Sequence, residues 1–181
     1  MSGPWPSPRG EAAATARLRA LPEDFQVDEV LGFEPEGSGE HLFLRVRKRG
    51  LDSEAVAQRI ARWAAVAPRA VSYAGRKDRH AVTSQWFSVQ LPGRADPDPA
   101  ELADDDALVV LASARHPRKL RRGVHRGNAF RLRLRELAAA AGGDVQALLE
   151  PRLADLSRRG APNYFGEQRF GSGGSNLAQA R

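Results

Sequence analysis

The sequence contains no cysteine. That excludes disulfides and every thiolate-ligated zinc site, and it fits a chain made for a reducing intracellular compartment. No stretch approaches the roughly 20 consecutive apolar residues of a transmembrane helix. The small apolar run Ala12 to Ala14 is too short to be the core of a signal peptide. A cytoplasmic protein is therefore expected. The four histidines, His41, His80, His116 and His125, lack the tight spacing of a metal site, so no metal is expected. No internal repeat is present. What remains is an ordinary globular composition: 181 residues with 41% hydrophobic content, enough for one full core or one core and part of a second domain.

Lysine is also scarce, occurring only at positions 48, 77 and 119, so arginine supplies 25 of the 28 cationic side chains. The formal net charge is +6, and its distribution says more than its total. Arg115, Arg118, Lys119, Arg121, Arg122, Arg126, Arg131, Arg133 and Arg135 lie in one segment that holds no Asp or Glu. Directly upstream, Asp96, Asp98, Glu101, Asp104, Asp105 and Asp106 form an acidic stretch without a base. Such segregation favours a localised surface for a polyanion, nucleic acid above all, over a uniformly solvated one.

Along the chain, residues 1–16 are rich in Pro, Gly, Ser and Ala and are expected to form a flexible leader, with order beginning near Leu18. Phe25, Val27, Val30 and Leu31 predict a short strand after a Pro22-Glu23-Asp24 turn. His41 to Arg47 alternates as a half-buried strand, with Leu42, Leu44 and Val46 on its inner face. Asp52 or Ser53 caps a predicted helix over 54–66, where Val56, Ile60, Trp63 and Ala64 fall at helical spacing. Short strands are expected at Val71 to Ala74 and Trp86 to Leu91, then a linker over 92–106 and a buried strand at Leu108 to Ala112. A basic loop from His116 to Gly127 leads into a strand that should pack Phe130, Leu132 and Leu134 while offering Arg131, Arg133 and Arg135 outward. Asp144 to Arg159 carries a helical stripe that Pro151 should kink or split. The connections are too short for repeated crossover helices. The expected class is α+β, a mixed and largely antiparallel sheet with flanking helices.

Three stretches could carry chemistry. In "GRKDRHAVTSQWFSV", Asp78 sits in a loop between two strands, with Arg76, Lys77, Arg79 and His80 within two positions. Nearby cations keep a carboxylate ionised, which suits a nucleophile and argues against a general acid. An exposed ion pair or a helix cap explains the same residues. Asn128 and Phe130 mark the transition from basic loop to strand; an amide can bond a base edge and an aromatic ring can stack on its face, the way unpaired RNA bases are read. A turn asparagine and a core phenylalanine are the plainer alternative, and Phe25 shares the ambiguity. The third stretch, "RGAPNYFGEQRFGSGGSN", lacks the Gly-Lys-Ser/Thr of a phosphate-binding loop.

Taken together, "PEDFQVDE", "YAGRKDRHAVTSQWFSV", "RGNAF" and "PNYFGEQRFGSGGSN" resemble, in this order and at about this spacing, the TruD family of tRNA pseudouridine synthases. The resemblance runs from about Leu18 to the end of the chain. It implies a cofactor-free isomerase that converts uridine 13 of certain tRNAs to pseudouridine, breaking the bond from ribose to N1 and remaking it at C5. Asp78 matches the catalytic aspartate, acting by attack on the uracil ring, by attack on the ribose or by elimination through a glycal. By the same match, Phe130 stacks on the target uracil, Asn128 bonds its edge or holds the catalytic loop, and Phe25 lines the pocket. Lys77 lies beside the nucleophile, and Arg19 stands where the family usually has lysine, keeping charge but changing donor geometry. Family members are about twice this length, with an insertion domain beginning after the region of Tyr164. The resemblance thus implies an N-terminal half with an incomplete catalytic core. Residues 17–159 would be the catalytic portion, and 160–181 a glycine-rich segment at the start of a truncated insertion domain. The uncompleted sheet edge would favour self-association. Two rival expectations stand beside this one: an RNA-binding fragment without turnover, and a metal-dependent nuclease using Asp78 and His80.

Overall fold

The structure, a computed structural model, describes residues 12–103 and 107–161. The chain divides into two compact units, one formed by residues 17–135 and the other by 1–16 with 136–181.

Within the first unit, six strands form one sheet. They are β2 (Phe25–Val30), β3 (His41–Arg49), β4 (Val71–Tyr73), β5 (Val82–Gln90), β6 (Leu108–His116) and β7 (Gly127–Leu132). The order is β6-β3-β5-β2-β7, and β4 also pairs with β5. All pairings are antiparallel except β2 with β5, so the sheet is mixed and largely antiparallel, as its sequence predicts. Strand β5 changes partner along its length. Val82 to Ser84 pair with β2 and Phe87 to Val89 pair with β4, leaving Gln85 and Trp86 at the junction.

One helix, α1 (Ser53–Trp63), covers one face of the sheet. Its start follows from Asp52, whose carboxylate accepts the Ala55 N–H at 2.8 Å, with Glu54 in the first turn and Arg62 in the last to complement the helix dipole. Val56, Ala57, Ile60 and Ala61 pack on Leu42, Leu44, Val46, Phe87 and Val89. The 11-residue helix is shorter than predicted, because the chain turns through a left-handed Ala65 (φ 49°) before reaching Pro68. Strand β3 is buried on both faces rather than half-buried. Phe43 joins Leu31, Ala74 and Leu120 in a second cluster across the sheet, and the basic loop supplies Leu120.

Three other expectations change. The supposed linker contributes Leu102 to the main core from a single helical turn, Pro99–Leu102. Strand β6 is an edge strand, and only Leu108 and His116 are buried along it. Strand β7 does not pack one face: Phe130 and Leu132 are 62% and 50% exposed, and Leu134, just past its end, is 46% exposed. It lies beyond β2, on the side of the sheet that α1 does not reach.

In the second unit, β1 (Ala14–Arg17) and β8 (Arg135–Ala139) form a two-stranded sheet, and α2 spans Val145–Arg159. Among the described residues regular structure starts at Ala14, ahead of the expected onset near Leu18; the partner of β1 lies over a hundred residues away, beyond the reach of local composition. Helix α2 runs unsplit through Pro151, which removes one amide donor without ending the helix. No helix among the described residues is long and apolar enough to cross a membrane.

Candidate active site

The loop between β4 and β5, residues 74–81, crosses the α1 face of the sheet and is pinned from beneath by a polar network. Strand β2 alternates Phe25, Val27 and Glu29 inward. Glu29 is completely buried at its side chain, and its Oε2 accepts Lys77 Nζ at 2.7 Å in an ion pair whose lysine side chain is 5% exposed. Its other oxygen accepts the backbone N–H of Trp86 at 3.0 Å, at the junction where β5 changes partner. Ser53, the first residue of α1, accepts the Lys77 N–H at 2.9 Å and donates to Gln85 Oε1 at 2.6 Å, while Gln85 donates to the Gly75 carbonyl at 3.0 Å. Gly75 lies close beneath the basic loop, where a Cβ would stand 3.3 Å from His125 Cε1 and press on that ring. Ala81 closes the loop against Phe25 and Val27.

A fourth support comes from β3. Lys48 is completely buried, and its Nζ donates to the carbonyl of Leu51 at 2.6 Å and to that of Asp78 at 2.9 Å. Burial pushes its ammonium down to about 8 from 10.5, against the favourable fields of Asp52 and Asp78.

The Asp78 carboxylate itself faces outward, with 43% of its side chain exposed. The cations adjacent in sequence do not hold it. Lys77 is turned inward to Glu29, Arg79 donates to the Gly50 carbonyl at 3.1 Å, and His80 Nε2 bonds the Arg19 carbonyl at 3.1 Å. The partner is Arg19, 59 positions away in sequence, whose Nη2 lies 3.4 Å from Asp78 Oδ2. Arg19 has a left-handed backbone (φ 56°), an uncommon conformation for an arginine. Its guanidinium carbon also stands 3.8 Å from the centre of the Phe25 ring, a cation–π distance.

From Phe25 the site continues to the sheet edge. Phe130 pairs with Val27 across β2 and β7, which puts it on the same face, and its ring meets that of Phe25 edge to face at 6.2 Å. Asn128 lies opposite Glu29, two residues along the same side of β7, and is exposed. The chain just past β7 is anchored by Asp24. That buried carboxylate takes a two-pronged hydrogen bond from Arg135, 2.7 and 2.8 Å, which holds it below the usual carboxylate range despite burial. The result is a continuous row: an open carboxylate, a guanidinium, a buried ring and an exposed ring, with an exposed amide beside them. A carboxylate next to an aromatic platform can attack or assist chemistry on a planar base while the ring holds that base in place.

Of the nine cations in the basic segment, Arg115 pairs with Asp96 and Arg135 with Asp24. Arg118, Lys119, Arg121, Arg122, Arg126, Arg131 and Arg133 are exposed. Leu120, 2% exposed, moors their loop: its N–H donates to the Ser88 hydroxyl and its carbonyl accepts from the Ser72 hydroxyl. Among the described residues no cluster of three or more His, Asp or Glu could hold a metal ion. Sequence reading missed Glu29 and Lys48. Both carried a signal: Glu29 occupies an inward position of an alternating strand, and Lys48 is one of only three lysines, placed in phase with Leu42, Leu44 and Val46. The segment "PNYFGEQRFGSGGSN" lies outside the described residues.

Comparison with known proteins completes the picture. The family model for tRNA pseudouridine synthase D (TruD) matches residues 10–177. Curated relatives named tRNA pseudouridine synthase D include one from Methylococcus capsulatus, 54% identical over 97% of this chain and 48% of its own length. Another, from Pseudomonas syringae pv. syringae, is 56% identical over the same shares. The crystal structure of a TruD protein from Methanosarcina mazei superposes with a TM-score of 0.72 at 31% identity, covering 86% of this chain and 35% of that one. The chain thus spans about half the length of the curated relatives it matches.

Proposed function

Because this chain belongs to the TruD family of tRNA pseudouridine synthases, we propose that it supplies the nucleophile and one wall of the base pocket for isomerising uridine 13 of tRNA to pseudouridine. Asp78 is the covalent catalyst. The bond from the ribose to N1 breaks, the uracil turns, and a bond forms from the ribose to C5, with the C5 proton lost and N1 protonated. No cofactor enters the balance. Phe130 stacks on the extruded uracil, Asn128 bonds its edge, and Phe25 backs both the ring and the Arg19 guanidinium. Arg19 faces the carboxylate and the backbone phosphates. Lys77 contributes from within, holding the loop through Glu29 instead of touching the nucleotide.

The observation that carries this reading is the unbroken contact from Asp78 through Arg19 and Phe25 to Phe130 on one face of the sheet. The seven exposed cations of the basic segment support tRNA as the polyanion, and a role in tRNA modification favours a cytoplasmic location. Among the described residues β7 pairs only with β2, so its outer edge is open to a further strand, which supports self-association of this chain.

The test compares wild type with Asp78→Ala in a tRNA pseudouridylation assay. Product from wild type and none from the variant is expected. Equal product from both removes Asp78 from the mechanism; none from either, with tRNA still bound, leaves an RNA-binding chain without turnover. Binding should weaken steeply between about 50 and 200 mM salt if phosphates are the main contacts.

A further inference from the structure

The exposed carboxylate of Asp78 does not fix its own position: its only described side-chain ion pair is the long 3.4 Å contact with Arg19. Its backbone is held instead. Lys48, from the middle layer of the sheet, donates to the Asp78 carbonyl and to the Leu51 carbonyl, which directly precedes the capping residue of α1. This arrangement is unusual in cost. The lysine is completely buried, and its two hydrogen-bond acceptors are neutral carbonyls, not a carboxylate. An apolar side chain of similar length would fill the same space without desolvating a charge. A buried ionisable group beside a cleft or loop of this kind is a candidate for a functional role.

The geometry points to Lys48 as a positioning residue for the reaction: it fixes the main chain of Asp78 to the start of α1 and places a buried positive charge behind the nucleophile. The inference rests on the reading of Asp78 as nucleophile. Lys48 never touches substrate, so its effect passes through the loop. The charged groups acting on it are Asp52 and Asp78, which favour the ammonium, and Lys77, which opposes it. Its cross-strand neighbours, Thr83 on β5 and Leu108 on β6, do not titrate. Desolvation leaves the ammonium poised near pH 8, so the charge behind Asp78 is lost within an accessible pH range. The neutral amine still donates hydrogen bonds; only the field disappears.

Two measurements on the full chain test this. The first follows the ε-carbon resonances of its three lysines by NMR, with Lys48→Arg identifying the Lys48 signal. A midpoint near pH 8 is expected in wild type, and a lower one in Asp78→Asn, which removes a favourable charge. A midpoint that Asp78→Asn leaves unmoved overturns the inference. The second follows single-turnover conversion of uridine in tRNA. Lys48→Met should lose about 100-fold in rate, the scale of a displaced catalytic group, with tRNA affinity unchanged. Lys48→Arg should stay active and lack the decline above pH 8 that is expected of wild type. A folded Lys48→Met with the wild-type rate and pH profile refutes the positioning role. Where that variant does not fold, Lys48→Arg and Asp78→Asn carry the test. If wild type makes no pseudouridine, the proposed function of this chain fails while the NMR coupling still decides whether Lys48 senses Asp78.

Discussion

The ion pair between Lys77 and Glu29 should be the most sensitive point beneath the loop that carries Asp78, and its chemistry can be separated from its geometry. The pair is 2.7 Å long, with side chains 5% and 0% exposed. Removing either charge leaves the other buried without a partner, which typically costs about 3–5 kcal/mol. That is a large fraction of the roughly 5–15 kcal/mol that holds a domain folded. Lys77→Met strands the carboxylate; Glu29→Gln strands the ammonium. The double variant strands neither, and the glutamine oxygen still accepts the Trp86 N–H that Glu29 now receives. Urea unfolding followed by tryptophan fluorescence would report all four proteins. Each single variant should lose about 3–5 kcal/mol, and the double variant should return to within about 1 kcal/mol of wild type, because replacing a buried pair outright is often close to neutral. Single variants that each lose less than about 1 kcal/mol, or a double variant whose loss equals the sum of both, would show that the pair does not hold the loop.

Two further expectations concern the platform and the buried lysine. Phe130→Leu should change stability by no more than about 0.5 kcal/mol, as for an exposed surface substitution. It should nevertheless weaken binding of a uridine-containing RNA by the roughly 1–3 kcal/mol of a lost base–aromatic stack; equal affinities in a filter-binding titration would remove Phe130 from the site. For Lys48 the folded-state value near 8 lies below the ordinary 10.5. The unfolded chain therefore binds more protons between those values, and stability should rise, not fall, as pH climbs from about 8 toward 10.5. The rise has an upper bound of about 3 kcal/mol and should be absent from Lys48→Met. A wild-type protein that loses stability relative to that variant over this range would contradict the burial argument.

Local chemistry was legible where the chain acts locally. The Asp52 cap, the apolar stripe of α1 and the alternation of β3 came from neighbours in sequence, and so did the loop position of Asp78. The failures share a different cause. The basic company of Asp78 suggested that Arg76, Lys77 and Arg79 neutralise it, yet sequence proximity in a loop does not set side-chain direction, and the cation comes from Arg19. Phe130, Leu132 and Leu134 alternate as a packing strand should, but packing requires an opposing layer, and α1 covers β3 and β5 instead. Strand phase marks Glu29 and Lys48 as inward, but it does not name their partners: Lys77 and the Asp78 carbonyl lie 48 and 30 positions away.

The parallel pairing of β2 with β5, and the late addition of β7, also fix a timetable for the nascent protein. Emerging from the ribosome, β2 must wait for β3, α1 and β4 before β5 can join it, and its other flank stays bare until Gly127 to Leu132 arrive. At about 5–20 residues per second, that last interval is roughly 5–20 seconds. The loop of Asp78 thus has its supports from β3 and α1 before the ring of Phe130 exists beside it, so each newborn molecule passes through a stage with the carboxylate in place and its neighbouring edge still bare.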